Sequence, residues 1–148
     1  MLDKKALIES INKEIQAKIH RLESEMNELQ FALSDDTKST SGDKHETSRA
    51  MAQQEIQNLG ENLQNWLKMN GLASALMDNK CMDVQLGALV HTQNKTFFIS
   101  VGLGKIIIDG KEIYCLAPSS PLSQVLLGKK IGETATFGGN KHEVINIY

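Results

Sequence analysis

The sequence predicts an α+β protein: a long antiparallel helical hairpin followed by a small antiparallel-sheet domain. Three observations predict this. In the first half, apolar residues recur at steps of three and four, the repeat of one helix face. Only three of the 11 glycines (Gly42, Gly60, Gly71) precede residue 87. Both prolines, three of the four phenylalanines and both tyrosines follow residue 96, so the second half is rich in turns and strands. The expected boundaries are 1–77 for the hairpin, with a polar tip at 34–47, and 78–148 for the sheet domain.

The first helix is expected over 3–33. Ile8, Ile11, Ile15, Ile19, Leu22, Met26, Leu29 and Leu33 form a seam close to a heptad, with charges of both signs on the other faces. So narrow a stripe calls for one partner helix rather than burial all round. The second helix supplies it, starting near Glu46 and carrying Ala50, Ala52, Ile56, Leu59, Leu63, Trp66 and Leu67. The chain reverses between Leu33 and Glu46, which makes the helices antiparallel neighbours. A helix of about 30 residues is roughly 45 Å long, so the tip is expected to stand far from the second domain. Gly60 interrupts the second helix at a cost of about 1 kcal/mol relative to alanine. Asn70-Gly71 reads as its stop.

Strands are expected at 84–92 and 95–101 around Gln93-Asn94, and at 105–108 and 112–116 around Asp109-Gly110, the strongest hairpin signal in the chain. Pro121 starts and Gly128 stops a short helix at 122–127. Strands at 133–137 and 142–147 close the sheet across Gly138-Gly139-Asn140.

The 148 residues suffice for a long hairpin plus one small domain. A net charge of −2 argues against a protein that neutralises many phosphates through its overall charge. The chain opens with alternating charged and apolar residues, without the apolar run of a signal peptide or membrane span, so a cytoplasmic protein is expected. Cys81 and Cys115 are far apart and read as buried free thiols. Neither His91 nor His142 has zinc-ligand spacing with them. A hairpin that pairs with itself favours a monomer.

The tip carries the candidate chemistry. Between residues 35 and 46 lie Asp35, Asp36, Asp43 and Glu46, against the bases Lys38 and Lys44. Asp43 and Glu46 are three apart at the start of the second helix, where the helix dipole favours carboxylates. Two carboxylates do not make a magnesium site alone, because that ion keeps waters or phosphate oxygens as its other ligands. They can complete a site that another protein starts. The same spacing also fits a capping box, with Asp43 as N-cap and Glu46 at the third helical position, and a capping carboxylate has fewer lone pairs for metal.

Gly42-Asp43-Lys44-His45-Glu46 at the tip of a helical hairpin, with a small α+β domain behind it, resembles the bacterial Gre-type (GreA/GreB) transcript-cleavage factors. The segment from Ser119-Ser120-Pro121-Leu122 through Leu126-Leu127-Gly128-Lys129 to Gly132-Glu133 is similar to that family's S-P-L-x-x-x-L-L-G-K-x-x-G-D, with Glu133 in place of Asp. The ending Glu143-Val-Ile-Asn-Ile-Tyr148 is similar to its terminal strand. The resemblance implies an FKBP-like second domain that docks on RNA polymerase, with Ser120, Pro121 and Leu122 as docking residues. It also implies a hairpin that enters the polymerase secondary channel. Asp43 and Glu46 would there help hold a magnesium ion shared with the polymerase, reaching the nascent RNA 3′ end indirectly. The factor itself is then no enzyme; it lends charge to cleavage of backtracked RNA by the polymerase during elongation. After Glu46 this chain has Thr47-Ser48-Arg49-Ala50 where the family usually has Asn-Ala-Glu-Tyr.

Three alternatives stand beside this reading. A channel-binding regulator would dock without stimulating cleavage. A coiled-coil adapter would share its seam with a partner helix and need no tip acids. A prolyl isomerase would need an aromatic-lined pocket, for which Phe97, Phe98, Tyr114 and Phe137 are the candidates.

Overall fold

The computed structural model describes residues 3–36 and 42–148, with side chains described at all of these except 35, 36 and 42–45. The elements in chain order are α1 (Lys4–Asp36), α2 (Gly42–Ser74), β1 (Leu89–Thr92), β2 (Thr96–Ile99), β3 (Gly104–Ile108), β4 (Lys111–Leu116), α3 (Pro121–Leu126), β5 (Thr134–Phe137) and β6 (Asn140–Ile147). They fall into two compact units, one of Lys13–Asn70 and one of Met1–Asn12 with Gly71–Tyr148. Of the expected polar tip at 34–47, residues 34–36 belong to α1 and 42–47 to α2, while 37–41 lie outside the described residues.

The unit of residues 13–70 is the hairpin. Gln16 Nε2 donates to Asn70 Oδ1 at 2.7 Å, and the Lys18 ammonium sits 6.0 Å from the centre of the Trp66 ring. Gly60 faces Met26, and Arg49 Nη1 donates to the Leu33 carbonyl at 3.3 Å. Rising positions on α1 meet falling positions on α2, so the helices are antiparallel, as expected. Ile15, Ile19 and Leu22 of α1 and Leu59 of α2 are buried, while Met26, Leu29, Ala52, Ile56, Leu63 and Trp66 are half-buried. Two seam assignments on α2 change. Ala50 and Leu67 are exposed, and the inward line instead runs through Arg49, Ala52, Ile56, Leu59, Leu63, Trp66 and Asn70, alternating steps of three and four. Two polar residues, Arg49 and Asn70, thus occupy seam positions that a purely apolar template passes over.

α2 also continues past the expected stop at Asn70-Gly71. A glycine ends a helix by turning the backbone left-handed, and Gly71 is not among the glycines with positive φ. Asn70 is held by Gln16, and Ala73 one turn on is fully buried.

In the other unit the six strands form one sheet in the order β3-β4-β2-β1-β6-β5. Four pairings are antiparallel, but β2 and β4 run parallel, with Phe97, Phe98 and Ile99 opposite Tyr114, Cys115 and Leu116. The expected all-antiparallel sheet is therefore a mixed one. The cause is an insertion: β3 leaves a slot beside β2, and the Asp109-Gly110 hairpin folds β4 back into it. Asp109 and Gly110 have φ of 51° and 76°, both positive as the tight hairpin turn requires.

Successive strand residues point to opposite faces, and Phe97 and Phe98 are both fully buried, so both faces of the sheet are covered. On one face Phe97, Val90, Ile99, Val144 and Ile147 pack with Leu126 of α3, with Leu122, Val125 and Leu127 around them. The first turns of α1 belong to this same unit and carry Leu7 and Ile11, each fully buried. Leu7, rather than the half-buried Ile8, opens the seam of α1. Cys81 and Cys115 are buried and neither is in a disulfide, in line with the expectation of buried thiols.

Candidate functional site: the hairpin tip

α2 begins at Gly42, which makes Asp43 its second residue and Glu46 its fifth. Ser41, the residue type that caps best, directly precedes Gly42 but lies outside the described residues, as does the Asp43 side chain. On a regular helix, residues three apart have Cβ atoms about 5–6 Å from each other. Residues 43 and 46 both belong to the first turns of α2, the end where a helix dipole favours negative charge. Glu46 is exposed, and it makes no ion pair among the described residues.

Asp35 and Asp36 are the last two residues of α1, the end where the dipole disfavours carboxylates, and no basic residue occupies the last turn of that helix. Arg49 relieves this end. Leu33 is one of the last four residues of α1, whose carbonyls have no partner within the helix, and the Arg49 guanidinium reaches across to donate to it. In the sequence, Arg49 stands out only as a departure from the resembled motif. Its seam position, three residues before Ala52, was the signal that could have revealed it.

The second predicted group lies in the other unit. Ser120 caps α3: its Oγ accepts from Ser123 N at 3.2 Å and donates to the buried Ser123 Oγ at 2.9 Å. Pro121 follows at the first helical position, exposed, and Leu122 is half-buried against the core. After α3, Gly128 and Gly132 both have positive φ, and Glu133 Oε1 accepts from Lys130 N at 3.0 Å. Val84 exchanges backbone hydrogen bonds with Gly128 and Lys129, each 2.8 Å. Most of the motif from Ser120 to Glu133 is therefore engaged in building α3 and the turn behind it. Pro121 is the member of the docking trio with an exposed side chain.

The four aromatic candidates for an isomerase pocket do not line one cleft. Phe97 and Phe98 are core residues, Phe137 is partly exposed on β5, and the Tyr114 ring is covered by the Lys95 ammonium at 4.9 Å. The cleft beside Tyr114 is lined by Thr92, Gln93, Asn94, Lys95, Thr96 and Glu112, which is too polar for that chemistry.

Two histidines have perturbed acidity. Burial, and then the field of Lys111, lowers the pKa of His91, whose Nδ1 lies 3.2 Å from Thr96 Oγ1. Burial, and then Lys95, lowers that of His142, which packs edge-on against Phe97 at 5.4 Å with Nδ1 unpartnered. Among the described residues, no three of His, Cys, Asp and Glu gather as a metal site, and no helix is long and apolar enough to cross a membrane.

No protein-family model matches this chain, and no curated protein matches it. Among solved structures, the GreA factor homolog 1 (Gfh1) protein of Thermus thermophilus is 16% identical over 93% of this chain and 94% of its own, with a TM-score of 0.40. A structure of the transcription factor Gfh1 is 15% identical over 93% of each chain, with a TM-score of 0.39. Similarity at this level carries no argument about function.

Proposed function

We propose that this protein is a Gre-type transcription factor that binds RNA polymerase, inserts its hairpin into the secondary channel and stimulates cleavage of backtracked RNA. The reading is carried by the tip motif: Asp43 and Glu46 are the second and fifth residues of α2, and Glu46 is exposed. The motif resemblance of the tip and of the 119–133 segment supports it, as does a helical hairpin preceding a mixed-sheet domain. Two carboxylates at a helix N-terminus fit a magnesium ion as a partial ligand set. Held between these acids and the polymerase, the ion would supply Lewis acidity and an activated water for phosphodiester hydrolysis. The protein's own part is positional. The paired helices hold the acids out, Arg49 ties the end of α1 to α2, and the other unit docks through the surface around Pro121.

The test is RNA cleavage in stalled, backtracked elongation complexes from the same organism, with magnesium. Cleavage should accelerate with the wild-type protein and lose that acceleration with Asp43→Asn and Glu46→Gln, while binding to polymerase persists. Full stimulation by the double variant would sink the mechanism.

A second reading is favoured by Arg49, a cation one turn from Glu46 where the resembled family has an acid. It makes the protein a channel-occupying regulator. Binding without any stimulation of cleavage would select it.

A further inference from the structure

The unit of residues 1–12 and 71–148 contains a side-chain pair to which the hairpin mechanism gives no role. Lys4, in the first turn of α1, is only 6% exposed. Lysine is seldom buried unless its charge is paired or hydrogen-bonded. Here the ammonium donates to the Asn79 carbonyl and to the Tyr148 carbonyl, the latter at 3.0 Å. With two of its three donors so used, it lies 3.8 Å from Cys81 Sγ. Cys81 is 7% exposed and not in a disulfide. It also lines a cleft of about 320 Å³ with Leu76, Met77, Asn79, Gln85 and Gly87.

We propose that Lys4 and Cys81 are the two ends of an oxidant-formed covalent bridge, Nζ–O–Sγ, which fastens the first turn of α1 to the 79–81 segment. The chemistry balances with hydrogen peroxide as oxidant. One peroxide converts the Cys81 thiol to a sulfenic acid and leaves as water. The Lys4 ammonium gives up one proton to water, and a second peroxide converts the resulting amine to a hydroxylamine and leaves as water. The hydroxylamine oxygen then attacks the sulfenic sulfur, its proton and the sulfenic hydroxyl departing together as a third water. Sulfur and nitrogen each lose two electrons, and the two peroxides take up all four. An oxygen-bridged link spans more of the 3.8 Å gap than a direct sulfur–nitrogen bond, so it demands less movement of the buried lysine. Residues 4–81 include the whole of α1 and α2, so the bridge closes a long loop and restricts the unfolded chain.

The experiment treats the full-length protein with hydrogen peroxide, digests it with a protease that does not cut at lysine, and reads the peptides by tandem mass spectrometry. The expected product is a linked peptide pair joining Lys4 to Cys81, heavier than the sum of its parts by one oxygen and lighter by two hydrogens. Dithiothreitol should dissolve it. Before reduction, the urea midpoint of the oxidised protein should be raised. In Lys4→Arg, which keeps the charge, the link should be absent and Cys81 should proceed to sulfinic acid. Exposed Met77 and Met82 should gain oxygen in both proteins without linking, which confirms that peroxide acted. A direct sulfur–nitrogen link, oxidation of Cys81 with Lys4 unmodified in the wild-type protein, or no change at Cys81 would each overturn the proposal.

Discussion

Substituting alanine at Gly60 and Gly71 tests whether α2 is one continuous helix. Each glycine lies inside the helix, where it costs about 1 kcal/mol relative to alanine. A Cβ at Gly60 would meet Met26 Cε at 3.8 Å, an ordinary contact, and one at Gly71 would meet nothing within 4 Å. Neither substitution therefore carries a steric penalty to offset its gain. The positions are roughly 16 Å apart along the helix, so the effects should add to about 2 kcal/mol, within about 0.5. The assay is urea unfolding followed by far-ultraviolet circular dichroism, with hydrogen exchange to locate the change in α2. The sign decides the matter at Gly71. If Asn70-Gly71 ended the helix, Gly71 would sit in the left-handed region, and alanine there would destabilise by about 1–2 kcal/mol. Destabilisation of that size would refute the continuous helix. At Gly60, a loss of stability would mean that α2 bends or approaches α1 too closely for a methyl group.

Two further outcomes are expected. His91 and His142 are kept neutral in the fold, with pKa values below the ordinary 6.5, whereas the unfolded chain takes up protons at and below that value. Their contribution to stability is full above pH 6.5 and is lost as pH falls through 6.5 towards the native values, so the urea midpoint should drop over that window and His142→Leu should flatten the slope. Ser120→Ala removes the cap of α3 and the partner of the buried Ser123 hydroxyl, which should cost about 1–2 kcal/mol in urea unfolding, with Ser120→Thr recovering most of it.

Helix existence and direction were legible in the sequence because they depend on local period. Ile11, Ile15, Ile19 and Leu22 repeat at helical steps, and only a reversal near the polar tip lets two such stripes cover each other. The Asp109-Gly110 and Gly138-Gly139 turns were legible because their backbone demands positive φ, which few residue types supply. The tip acids Asp43 and Glu46 are read from the sequence in the same local way, as residue types at a fixed spacing beside an expected helix start.

Tertiary structure decided what depends on partners distant in sequence. Nothing local places β4 between β3 and β2; that slot is set by hydrogen bonding along a strand edge the hairpin signal does not mention. Gly71 stays helical because Asn70 and Ala73 gain partners, which outweighs the local stop signal. Arg49 reads as a solvated surface charge until the Leu33 carbonyl is brought opposite it. Lys4 and Cys81 are separated by two whole helices, and only folding brings them together, because a buried ammonium must find carbonyls and the Asn79 and Tyr148 carbonyls lie beside the sulfur.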